Sequence, residues 1–292
     1  MEDNNLEKTS IDQENTEVEK DELLDYMDEA RNGKKKKDKK KSGLVDKIVS
    51  IVILVVCIAG LIYSGRKLYT WFLNNIKSNK LITTVNDIAG VPNIGKDENP
   101  GAEFGIDFDA LCAQYPDVVG WIRIPGTSIS YSLVQAEDNN KYLRHSIDMV
   151  WNEFGWPFLD YRNAPDFTDR NTVIYGHNIV SGLMFADVSY IYNGILGTDV
   201  EIDIYRKDYR LLRYKVVSSY IVDPELYYTT TSFSSDEQYS EFLNAIMSRS
   251  SLKTNQTVGV DDTLITLSTC TSDAKQRIVV HAKLVSNEPM PR

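Results

Sequence analysis

From Ile48 to Gly65 no residue is charged, and the run IVSIVILVVCIAGLIYSG is apolar almost throughout. As a helix rising about 1.5 Å per residue it is roughly 27 Å long. Leu44 and Val45 before it and Tyr69 and Trp71 beyond it extend the apolar and amphipathic stretch to the bilayer's hydrocarbon thickness of about 30 Å. A buried helix of a soluble domain has the same composition, but the flanks here are strongly asymmetric. Lys34 to Lys37 and Lys39 to Lys41 precede the run. Positive charge stays on the cytoplasmic side, so the expectation is a single-pass cell-membrane anchor with a cytoplasmic N-terminus and everything after Arg66 outside the cell. A cleaved signal peptide would carry its positive region at the very N-terminus, not behind a long acidic tail. Cys57 lies within the span and reads as a small lipid-facing or packing residue.

The span divides the chain. Residues 1–47 read as a cytoplasmic disordered tail with the lysine run, because Met1 to Arg31 is rich in Glu, Asp and Asn and poor in aromatic residues. Residues 48–65 are the anchor. Residues 66–103 read as a juxtamembrane helix, with Leu68, Trp71, Phe72 and Ile76 at helical spacing, followed by a linker holding Pro92, Gly95, Pro100 and Gly101. Residues 104–292 remain for one extracellular domain. The formal charge of −10 argues against nucleic acid as a partner. Three cysteines and three histidines, widely scattered, give neither a disulfide framework nor a zinc pattern.

Within the outer domain, short runs rich in β-branched and aromatic residues alternate with turn residues. They are Val118 to Ile124, Ile129 to Val134, Thr172 to Tyr175, Val200 to Tyr205, Leu211 to Ile221, Thr263 to Thr269 and Ile278 to Val285. Pro125-Gly126-Thr127 and Arg206-Lys207-Asp208 supply hairpin turns. The fold class is therefore mostly β and mostly antiparallel, a barrel or a sandwich. One helix interrupts it, with Tyr239, Phe242, Leu243, Ile246 and Met247 on one face and Ser235 with Gln238 as a capping box.

Cys270 closes a strand and opens the polar loop Thr271 to Gln276, a place where a side chain is held firmly yet stays accessible. A thiol attacks only as thiolate, so it needs a basic or cationic neighbour. Arg277 opens the final strand seven positions later, and a hairpin would set the two side by side. Arginine cannot serve as a base, but its fork of donors can stabilise a thiolate or a developing oxyanion. His177 follows Gly176 where an apolar strand ends, and it titrates in the range needed for proton exchange. Cys112 has apolar neighbours and reads as a small core residue, and His145 in its polar stretch reads as solvated or capping. His281 shares a strand face with Arg277 and is a weaker second candidate for the histidine role.

Taken together, TLSTC at residues 266 to 270, Arg277 in Arg-Ile-Val-Val, and Tyr175-Gly176-His177 upstream resemble the sortase family of cysteine transpeptidases. Asn171 to Asn178, the nearby Met184-Phe185 and the long helix before the cysteine strand look like the class B branch. The resemblance implies an eight-stranded β-barrel with added helices on the outer face of a Gram-positive membrane, and a reaction that needs no cofactor and no metal. It implies that Cys270 is the nucleophile, His177 the general acid and base, and Arg277 the stabiliser of oxyanion and substrate. Ser268, Tyr175 and Asn139 match positions that line the substrate pocket. The implied partners are secreted proteins bearing a C-terminal sorting motif and an amine of a peptidoglycan precursor. His281-Ala282 departs from the glycine many relatives carry in the last strand. The residues by themselves leave two rivals open: a membrane-anchored cysteine peptidase with water as acceptor, and a surface adhesion or scaffold domain in which Cys270 is buried and inert.

Overall fold

The computed structural model describes residues 6–92, 105–224, 227–271 and 275–290. The chain divides into two units, Met1–Thr70 and Trp71–Arg292. A single helix, α1, runs over Leu6–Ala89. The tail was expected to be disordered, yet the backbone is helical from Leu6 onward, and the side chains described between residues 22 and 34 are exposed. Glu, Lys and Leu are good helix formers, and extending an existing helix avoids the cost of nucleating a new one. The stretch Gly43–Ala89, which contains the expected span, is long and apolar enough to cross a membrane, and none of its most apolar part is buried.

The second unit begins earlier than the sequence pattern indicated. The domain was expected to start near Phe104, but Val85, Ala89 and Val91 are buried in its core, and Asn152 Nδ2 donates to Ser78 Oγ at 2.8 Å. The last turns of α1 are thus part of the domain's packing. The linker's central residues, 93–104, lie outside the described residues.

A short helix, α2 (Phe108–Gln114), capped by Asp107, leads into the barrel. Its strands are β1 (Val118–Arg123), β2 (Ser130–Val134), β3 (Phe158–Leu159), β4 (Asn171–Tyr175), β5 (Glu201–Arg206), β6 (Arg210–Val222), β7 (Leu264–Cys270) and β8 (Arg277–Pro289). They close in the order β1-β2-β3-β4-β7-β8-β6-β5, which decides for a barrel over a sandwich. All seven expected strands are present, within one residue at their ends except the last, which runs four residues beyond the expected Val285 to Pro289. The two-residue β3 is too short to show periodicity. It pairs parallel to β2, and β4 pairs parallel to β7; the other neighbours are antiparallel.

Alternation along β8 sorts its side chains between two layers. Ile278, Val280 and Ala282 join the main core with Ile174, Ile204 and Leu267. Val279 faces a second cluster, formed under α4 (Asp236–Ser248) by Tyr220, Tyr228, Tyr239, Phe242, Leu243, Ile246 and Leu264. Ser235 caps α4 as expected, its hydroxyl accepting from Gln238 N, while the Gln238 side chain returns to Ser234 N instead of Ser235. Tyr239 Oη lies 2.9 Å from Arg170 O and 2.8 Å from Asp262 O, which ties α4 to the starts of β4 and β7. Between β4 and β5 lies α3 (Val188–Tyr192), and a 3-10 turn, Tyr227–Thr229, precedes α4.

Candidate active site

The parallel pairing of β4 with β7 runs in register from Asn171 opposite Leu264 to Tyr175 opposite Ser268. Both strands therefore end at the same rim of the barrel. The chain leaves β4 through Gly176, whose N–H donates to Ser268 O at 3.2 Å. Asn178 Nδ2 then donates to Cys270 O at 3.0 Å. His177, held between these two anchors, is thereby fixed beside the end of β7. On the other side, β7 and β8 pair so that Cys270 stands opposite Arg277. The hairpin expected from the sequence brings these two together; residues 272–274 of its loop lie outside the described residues.

One cavity of about 280 Å³ at this rim is lined by all six residues picked out from the sequence: Asn139, Tyr175, His177, Ser268, Cys270 and Arg277. Leu143, Phe158, Gly176, Tyr228 and Thr269 complete its wall. Cys270 is half-buried and not in a disulfide. It lines the cavity, which a cysteine sealed in the core would not. Gly176 has a steric reason: a Cβ there would stand 2.5 Å from the Phe185 ring. Phe185 is held under it by its own N–H bond to His177 O at 2.8 Å.

His177 Nε2 lies 2.9 Å from Leu143 O. A carbonyl only accepts, so Nε2 carries the hydrogen and Nδ1 of the neutral ring is the free base. Burial pushes the imidazole below its ordinary value, and the Arg144 and Arg277 charges push the same way, opposed by the Leu143 hydrogen bond. At neutral pH the ring is thus mostly uncharged and able to accept a proton. Arg277 Nη1 donates to Gln276 O at 3.2 Å, and its guanidinium forms part of the pocket wall.

The pocket's polar wall and the layer behind it include residues that spacing did not reveal. Asp160, fully buried, accepts from Tyr175 Oη at 2.9 Å and Asn139 Nδ2 at 3.0 Å, and pairs with Arg162 at 2.7 Å. Burial pushes its carboxyl up, but the hydrogen bonds from Arg162, Tyr175 and Asn139 hold it below the usual carboxylate range. Tyr228 Oη lies 3.2 Å from Ser268 Oγ. The Asp160-Tyr161-Arg162 triplet was visible as an acid and a base two apart, but that pattern marks a solvated loop as often as a buried pair.

His281, the second histidine candidate, is not at the pocket. It is fully buried beneath α4, with Nδ1 2.8 Å from Thr266 Oγ1 and Nε2 2.9 Å from Tyr220 Oη. Alternation placed it on the right strand face, but α4 covers that face below the rim. His145 Nδ1 bonds Lys141 O at 2.8 Å, a capping contact. Cys112 packs against the core, and burial pushes its thiol up.

Comparison with known proteins agrees with this geometry. The sortase domain model matches residues 122–285. Sortase B of Listeria monocytogenes is 35% identical over 176 residues, covering 58% of this chain and 70% of that protein. Sortase B of Staphylococcus aureus is 32% identical over 183 residues, covering 61% and 74%. Among solved structures, sortase B from Bacillus anthracis superposes with a TM-score of 0.61 at 30% identity, over 74% of this chain and 99% of that one. A Staphylococcus aureus sortase B–substrate complex gives 0.56 at 30% identity, over 61% and 84%. A barrel with this closure, ending in a free cysteine registered against an arginine, is what these relatives share a fold with, and the chain belongs to the sortase family of cysteine transpeptidases, in its class B branch.

Proposed function

We propose that this sortase cleaves a short sorting motif near the C-terminus of secreted proteins after Thr and transfers them to an amine of a peptidoglycan precursor. The observation that carries the reading is the convergence of Cys270, His177 and Arg277 on one cavity through two strand pairings. Cys270 Sγ loses its proton to His177 and attacks the Thr carbonyl, and Arg277 donates to the oxyanion that forms. The C–N bond breaks, His177 returns the proton to the departing amine, and a thioester remains. The incoming amine attacks the thioester, gives a proton to His177, and displaces the Cys270 thiolate, which takes that proton back from His177, so that one amide replaces another and no redox partner is needed. The depressed titration of His177 supports this cycle, because a neutral imidazole is required at its start.

The lysine run ahead of an apolar helix supports a cytoplasmic N-terminus, with the catalytic domain outside where both substrates are found. Mass spectrometry of the enzyme incubated with a sorting peptide tests the chemistry. The wild type should gain the mass of the acyl fragment, and Cys270→Ala should not. Arg277→Ala should lower turnover by roughly a hundredfold or more while the fold is kept, in line with loss of an oxyanion donor. An undiminished adduct in Cys270→Ala, or none in the wild type, would sink the proposal. Product that forms equally fast without an amine acceptor would show hydrolysis in place of transfer.

A further inference from the structure

Two of the pocket's polar side chains end on a single buried carboxylate. Asp160 Oδ2 accepts from Asn139 Nδ2 (3.0 Å), Tyr175 Oη (2.9 Å) and Arg162 Nη2 (2.7 Å). Its other oxygen accepts from the Arg162 backbone N–H (3.0 Å) and Nε (2.8 Å). A fully buried charge is tolerated only when its lone pairs are filled, and five donors fill these. Asn139 Oδ1 is used as well, accepting the Tyr161 N–H at 3.0 Å. The Asn139 amide is therefore fixed in one orientation, with one N–H left over. Tyr175 gives its only proton to Asp160, so toward the pocket it offers a ring, packed against Phe158 with centroids 5.2 Å apart, and an acceptor oxygen. Arg162 Nη2 also donates to Thr229 O at 2.9 Å, which ties the pair to the turn that carries Tyr228, another wall residue.

We infer that Asp160 and Arg162 are positioning residues that set the hydrogen-bond polarity of the substrate pocket, so that Asn139 presents an N–H donor and the wall selects a peptide segment offering it a carbonyl oxygen. The inference rests on the peptide-cleaving reading above and deepens it. Neither residue touches the reacting atoms. Their effect is on which groups the peptide must bring. A carboxylate at residue 160 accepts from all its neighbours at once. An amide there must turn an NH2 toward at least one of these donors, which breaks the set of contacts that holds Asn139: facing that NH2, the Asn139 amide either loses its anchor or turns over and gives up the Tyr161 N–H, so the N–H it offers the pocket is no longer fixed.

Steady-state kinetics with a sorting peptide and an amine acceptor test this in the full chain. Asp160→Asn should raise the peptide KM about tenfold while kcat stays within about twofold, a split that loss of folded enzyme alone does not produce. Asn139→Ala should raise KM by a similar factor in the wild type and add little in the Asp160→Asn background, because both changes remove the same contact. If Asp160→Asn fails to fold, Arg162→Lys serves instead. Residue 162 is 41% exposed at its side chain, so the fold survives, and lysine keeps the charge but lacks the fork that holds both carboxylate oxygens. It should raise KM about threefold. An unchanged KM in the folded variants, additive costs in the double variant, or a fall in kcat without a change in KM would overturn the inference. A wild type that forms no acyl-enzyme would instead overturn the functional reading beneath it.

Discussion

His177 is surrounded by groups that disfavour its charged form. Desolvation is the largest, and two guanidinium groups, Arg144 and Arg277, act in the same direction. Arg277 lines the pocket and is proposed to donate to the oxyanion, so changing it confounds titration with chemistry. Arg144 is exposed and lies outside the pocket wall. Arg144→Gln should let His177 titrate closer to its ordinary value, moving the acid limb of the kcat/KM profile upward in pH while the plateau at higher pH is retained. Because the charge is exposed, the difference between variant and wild type should shrink as salt is added. NMR titration of the His177 ring checks the shift directly, and a downward or absent movement would contradict the assignment. The proposed catalytic residues were legible because each reports its place locally. Cys270 and Arg277 bracket a short loop, and His177 follows a glycine at a strand end. Asp160 and Arg162 were not, because the burial of Asp160 and the contacts of the pair are made with Asn139, Tyr175 and Thr229, which the chain brings from well before and after them.

At the scale of elements, β7 and β8 each carry two stories on one face. At the rim that face bears Cys270 opposite Arg277; one step down Ser268, which lines the cavity, stands opposite Val279, which faces the second cluster, and below them Thr266 stands opposite His281 under α4. Alternation in the sequence identified the face but not where α4 would cover it, because the length of cover depends on tertiary packing. The same limit explains β3, fixed by its neighbours and not by its own two residues, and the end of α1, whose buried Val85 and Ala89 looked like one more turn of a juxtamembrane helix. His281 makes the buried lower half testable. Burial lowers its pKa to about 3, and the groups facing it, Thr266, Tyr220 and Phe242, carry no charge. Between its ordinary value of 6.5 and about 3, the unfolded chain binds a proton at this residue and the folded chain does not. Stability present above that window is therefore lost as pH falls through it, by up to about 1.4 kcal/mol per pH unit from this residue. His281→Gln should cost roughly 1–3 kcal/mol at neutral pH through imperfect hydrogen bonding and should flatten the acid slope. Urea unfolding followed across that window measures both, and equal slopes in the two proteins would show that His281 does not set acid sensitivity.

For the molecule as a whole, the proposed topology makes the charge of −10 an average over two sides of a membrane. The acidic tail and the lysine run precede the apolar helix, and the catalytic unit follows it. The orientation that holds the lysines inside also puts the thiol of Cys270 outside, so one reagent can read the whole arrangement. In intact cells, a membrane-impermeant maleimide should label Cys270 without permeabilisation, and Cys270→Ser should remove most of that signal. The other two cysteines interfere little: Cys57 is within the span, and Cys112 is half-buried with its thiol pushed up, which slows attack. In a Cys270→Ser background, a cysteine introduced by Ser10→Cys should label only after the membrane is opened. Replacing Lys34 to Lys37 and Lys39 to Lys41 by Glu should send a fraction of molecules into the opposite orientation, because the retained positive charge is what holds the N-terminus inside. In that fraction both patterns reverse, and peptide transfer at the cell surface falls in proportion. Labelling of the Ser10→Cys protein in intact cells bearing the native lysines would mean that the N-terminus is outside, and the catalytic unit would then face the cytoplasm, away from both proposed substrates.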